Sequence, residues 1–132
     1  MRIAKKVMAI TAVALWMGLV LAAQQPSDMV GTWSGEATVE GEDLPNTLTL
    51  VVELKDGKLA GHMTDEFDAV NADAKDIVLE QGDFNFSVPV MLGQSGQGTI
   101  HFKMKVDGDT MKGEIEIPEM GAKGTWQATK QK

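Results

Sequence analysis

The stretch Met29–Glu40, MVGTWSGEATVE, and its echo Ala122–Lys132, AKGTWQATKQK, decide how this chain folds. In the first, Trp33, Gly35, Ala37 and Val39 alternate with Thr32, Ser34, Glu36 and Thr38. That period of two marks a strand with one buried and one wet face. In the second, Trp126 and Ala128 alternate with Thr125, Gln127 and Thr129. The tripeptide Gly-Thr-Trp therefore opens a strand near each end of the domain. If the two strands are neighbours in a closed ring, Gly31 and Gly124 let backbones approach closely and Trp33 and Trp126 each plug the ring's end from one side.

The segments between them carry the same period. Leu48, Leu50, Val52 and Leu54 form one apolar row, Phe84, Phe86, Val88 and Val90 another, and Ile100, Phe102, Met104 and Val106 a third. Met111, Ile115 and Ile117 add a fourth. KDGK at 55–58 and VDGD at 106–109 place Asp-Gly between such rows, the signal of a two-residue hairpin turn; EQGDF around Gly82 is a weaker version. Strands are predicted at 30–40, 46–54, 58–64, 75–80, 83–91, 98–106, 109–117 and 122–130. Short connections in chain order give an all-β fold, a single eight-stranded antiparallel up-and-down barrel. Closure removes the unpaired edges that would invite aggregation.

Residues 1–23 stand outside this pattern. Arg2, Lys5 and Lys6 precede the uncharged run Val7–Ala22, and Ala22 and Ala23 lead into QQPSD. A basic start, an apolar centre and small residues before a polar stretch read as a signal peptide, a signal helix ahead of the domain at 24–132. The run of about 16 residues is short against the roughly 20 that span a bilayer, which disfavours a retained anchor. The expectation is an exported protein, periplasmic or extracellular, with no stable membrane insertion after cleavage. Without Arg2, Lys5 and Lys6, nine basic side chains face 19 acidic ones, a net charge of −10. Nucleic acid is not an expected partner, because phosphate binding needs clustered Lys and Arg. The chain has no cysteine, so its core must hold without disulfides and thiolate chemistry is excluded.

Few residues suggest catalysis. His62 and His101 fall on outward faces among Lys and Thr, where neither a metal site nor a catalytic pair is expected. Ser34, Ser87 and Ser95 lack a nucleophile's sequence context. The acidic stretch TDEFDAVNADAKDI at 64–77 lacks the spacing of an EF-hand loop. It reads as a solvated connection with one helical turn, placed, like EGEDLPNT at 40–47, to act as a flap over one end. No catalytic residue, metal or cofactor is assigned, and the chain is not expected to be an enzyme. The inward rows are almost wholly apolar, so any internal pocket would suit an apolar ligand. Small residues at Gly35, Ala37, Gly61 and Gly113 leave two readings open: a void on one side, or space that Phe86 and Phe102 fill.

Gly31-x-Trp33, DGKLAG at 56–61, DGDTMKG at 107–113 and GTWQATK at 124–130 together resemble the calycin superfamily, the lipocalin-like and fatty-acid-binding-like barrels. Small exported bacterial domains of that type are the narrower likeness. The resemblance implies a calycin-like barrel in which a basic side chain from the last strand covers the first tryptophan. Lys130 shares the parity of Trp126 and is placed to lie over Trp33, a cation–π contact worth about 0.5–2 kcal/mol. The resemblance also implies a lipid-like ligand inside the barrel, lined by Trp33, Leu50, Phe86, Phe102, Met104 and Trp126. The expected function is thus a non-enzymatic exported protein holding a small hydrophobic molecule. The alternative is a structural or interaction module with a filled core that meets another envelope protein through its surface.

Overall fold

A computed structural model describes residues 25–42 and 45–132; the signal segment read at 1–23 lies outside the described residues. Among them are nine strands: β1 (Gly31–Val39), β2 (Asn46–Lys55), β3 (Lys58–Asp65), β4 (Asn71–Asp73), β5 (Lys75–Glu80), β6 (Asp83–Met91), β7 (Gln97–Asp107), β8 (Thr110–Ile117) and β9 (Ala122–Lys130). They form one sheet in the order β4-β3-β2-β1-β9-β8-β7-β6-β5, every pair antiparallel. The two Gly-Thr-Trp strands are neighbours, with Trp33 opposite Lys130 and Ala37 opposite Trp126.

The ends of that order, β4 and β5, are consecutive in the chain and separated only by Ala74. Residues 71–80 therefore bridge the two edges, pairing first with β3 and then with β6. The result is a nearly closed antiparallel barrel. The expected count of eight strands is corrected to nine, because the bridging run changes partner midway. Asp76, at φ +54°, sits where the β5–β6 register shifts between Lys75 and Val78. The extra residue there bulges β5 just after Lys75 has paired with Ser87 of β6. The helical turn expected within 64–77 is also corrected: the stretch makes a turn and bend at 66–69 and then enters β4.

Two hairpin turns follow their sequence signal. Asp56 and Gly57 both take positive φ, as do Gln81 and Gly82, the backbone of a type I′ turn whose twist matches that of the flanking strands. The third shifts by one residue: Asp107 pairs with Thr110, so Gly108 and Asp109 form the turn. These tight turns share one pole of the barrel with the 3-10 turn Pro26–Met29 and the end of β9. The longer connections at 66–70, 92–96 and 118–121 lie at the other pole.

The inward rows form one apolar cluster containing Trp33, Leu50, Met63, Phe84, Phe102, Met111 and Trp126. Met29 seals it beneath the turn pole, and Val70, from the connection before β4, joins it from the loop pole. Leu54, expected inward, is 40 % exposed, because β2 runs on past the barrel wall to its hairpin. Among the described residues no helix is long and apolar enough to cross a membrane.

Candidate functional site

The six residues expected to line a ligand lumen are brought together, but against one another. Trp33, Leu50, Phe86, Phe102, Met104 and Trp126 are between 0 and 2 % exposed. Phe86 stacks on Phe102 with ring centres 4.4 Å apart, and Phe102 meets the edge of Trp126 at 5.4 Å. Phe84 continues the row, 5.2 Å from Phe86. Such offset and edge-on contacts add to burial. The wall of a ligand-sized void exposes surface to that void; these side chains expose almost none.

The residues expected to close the barrel divide between two places. At the turn pole, the Trp33 indole N–H donates to the Met29 carbonyl at 2.9 Å, and Lys130 Nζ lies 5.2 Å from the ring centre. Lys130 also donates to the Asp28 carbonyl. Gly31, at φ +141°, leaves room for the Lys130 stem, since a Cβ there would stand 3.3 Å from Lys130 Cδ. Trp126 and Gly124 stand apart from this group, opposite Ala37 and Val39. Antiparallel pairing inverts the repeated tripeptide: β1 begins at the turn pole, whereas β9 begins at the loop pole. Trp126 therefore sits mid-barrel, donating to the Gly35 carbonyl at 3.0 Å.

Concave surface lies on the outer wall. A groove of about 750 Å³ crosses β7, β8, β9 and β1, with Ser34, Glu36, Lys105, Lys112, Gln127 and Thr129 among its lining. A second, of about 350 Å³, adjoins it through Thr38, Glu114 and Thr125 and runs on to His101, Glu116 and Lys123. Lys103 stands opposite Glu114, and Glu116 opposite both His101 and Lys123, so opposite charges alternate across the strands. Lys105 faces the like-charged Lys112 and pairs instead with Asp83 on β6. Glu119 reaches back from its loop to accept the Thr99 backbone N–H at 3.1 Å, which holds its carboxyl below the usual range.

The histidines lie on the outer wall, far from equivalent. His101 contacts the Ser87 hydroxyl at 3.1 Å. His62 on β3 lies between two β4 side chains, Nδ1 2.8 Å from Asp73 Oδ1 and Nε2 2.7 Å from Asn71 Oδ1. This cluster was not visible in the sequence, because Asn-Ala-Asp is a poor strand former and gave no sign that 71–73 pairs with His62. Among the described residues no group of three or more His, Asp or Glu is arranged to hold a metal.

No family model matches the sequence, and no curated protein matches it. The barrel is similar to a crystal structure from Nostoc punctiforme, a protein with unknown function from the DUF3598 family. The TM-score is 0.51 at 15 % identity, covering 84 % of this chain and 50 % of that one. The chain thus spans about half the length of that neighbour, and the likeness is one of fold: a nearly closed antiparallel barrel, compatible with a calycin-like one.

Proposed function

We propose that this chain is an exported, non-enzymatic interaction module that meets another protein of the cell envelope through its outer wall, while the barrel interior serves as support. The observation that carries this reading is the packing of the six expected lining residues, all 0–2 % exposed, with Phe86, Phe102 and Trp126 in ring-to-ring contact. A carrier of small apolar molecules needs an accessible apolar surface of its own. Two adjoining concavities lie instead on the outer face of β7, β8, β9 and β1, and a further one of about 400 Å³ opens at the turn pole beside Leu59, Ala74 and Ile77. Alternating Lys and Glu on that outer face favour a partner chosen by charge register rather than by apolar burial.

The test has two arms. Native mass spectrometry of the purified chain should show the bare polypeptide mass, and an apolar fluorescent dye should gain no fatty-acid-displaceable signal. Replacing Thr125 by Arg, at the junction of the two grooves, should abolish cross-linking to the envelope partner while leaving the unfolding midpoint nearly unchanged. A co-purified lipid, or a dye displaced by fatty acid, would restore the lumen reading.

A further inference from the structure

Among the described strands the barrel closes through its shortest ladder. β4 offers three residues to β3, in the pairs His62–Asp73, Met63–Ala72 and Thr64–Asn71. Beyond them one backbone bond at each end carries the pairing on, Ala74 N–H to the Gly61 carbonyl at 2.8 Å and Asp65 N–H to the Val70 carbonyl at 3.2 Å. The β2–β3 ladder on the other side of β3 runs over eight pairs. A short ladder at the seam is the first part of a sheet to open.

We propose that His62 is a proton-operated clasp on this seam: as imidazolium it fastens β4 to β3, and on losing its proton it lets β4 loosen. Geometry carries the idea. The ring is bracketed by two oxygens, Asp73 Oδ1 at 2.8 Å and Asn71 Oδ1 at 2.7 Å. A neutral imidazole has one N–H to give, whereas the cation has two and satisfies both acceptors at once. Both acceptors belong to β4, so the ring staples the first and last residues of that strand.

Other charged groups nearby do not compete for the ring. From β2, Val51 stands opposite His62, and Glu53 and Lys55 pair with each other at 3.8 Å. On β3 itself the nearest charge toward the turn pole is Lys58, and Lys75 opens β5 beyond Ala74. The hydrogen bond to Asp73, then that to Asn71, raises the His62 pKa above its ordinary 6.5, against a small opposing desolvation. Asp73 is held below its ordinary value, first by the same bond to His62 and further by the charge of Lys55.

The sign follows from linkage. A raised histidine pKa stabilises fully below about pH 6.5 and is lost as pH rises through the raised value. A depressed aspartate pKa stabilises above about pH 3.9 and is lost as pH falls through the depressed value. The two shifts describe one interaction, so the clasp is shut in mildly acidic solution and releases toward alkaline pH.

Two measurements on the purified chain decide the matter. An NMR titration should place the His62 midpoint above 6.5 and return it toward 6.5 in Asp73→Asn. Amide exchange at Ala74, corrected for intrinsic rate, should show about two- to five-fold more protection near pH 5.5 than near pH 8.5, the range of an exposed ion pair. That ratio should vanish in His62→Gln and persist in His101→Gln. A His62 midpoint at or below 6.5, or a ratio unchanged in His62→Gln, would overturn the proposal.

Discussion

Gly35 shows how a small side chain can mean close approach rather than empty space. In sequence, Gly35, Gly61 and Gly113 were equally good candidates for a void. In the barrel, a Cβ at Gly35 would fall 1.7 Å from the Gln127 carbonyl oxygen, and one at Gly113 2.0 Å from that of Lys103. Both atoms belong to the backbone of the next strand and cannot swing aside. At Gly61 the nearest atom is the tip of Leu50, 3.1 Å away. Gly35→Ala is therefore expected to cost about 2 kcal/mol or more by forced overpacking, and Gly61→Ala less than about 1 kcal/mol. Urea unfolding would check this as a lower midpoint at unchanged slope. Lys130 is a second instance, legible from the parity of the last strand and the calycin likeness. Lys130→Met keeps the stem over Trp33 but removes the cation and the donor to Asp28, so a loss of about 0.5–2 kcal/mol is expected in the same measurement.

Strands with strict alternation were readable because each buries one face: Phe84, Phe86, Val88 and Val90 all point inward and their neighbours do not. The 71–80 run was half-readable. Ile77 and Leu79 marked β5, but Asn71 and Asp73 carry no apolar signal, and pairing them with β3 is a tertiary decision. The seam's backbone bond at Ala74 gives a direct test that bypasses side chains. Ala74→Pro removes the N–H given to Gly61. Exchange at β4 and at Met63 should speed up markedly while the amides of β7 and β8 keep their protection. Equal acceleration across both regions would mean that the barrel opens as one unit, with no separate seam.

The ring itself was inferred from the repeated Gly-Thr-Trp, and β1 does lie beside β9. The state of its interior was not readable, since side-chain volume can be apportioned only once strand tilt and stagger are fixed. The mid-barrel place of Trp126 had the same cause: the repeat gave the neighbours but not their offset. Pairing β1 with β9 joins residues nearly a whole chain apart, the kind of contact that slows folding. A circular permutant joining residue 131 to residue 25 by a short linker, and opened between Gly93 and Gly96, makes that contact local. It should keep the native circular dichroism spectrum and refold faster in stopped-flow experiments. The proximity it exploits is visible in the Gln131 N–H donating to the Thr32 carbonyl at 2.7 Å and in Lys130 reaching Asp28. Because backbone enters at residue 25 and leaves at residue 131 beside the tight turns, a tag or tether fused directly at either of those positions hangs from the same side of the cask. The far rim, where Phe67 stands 65 % exposed, stays clear of it and is the natural place to graft new sequence without disturbing a stave.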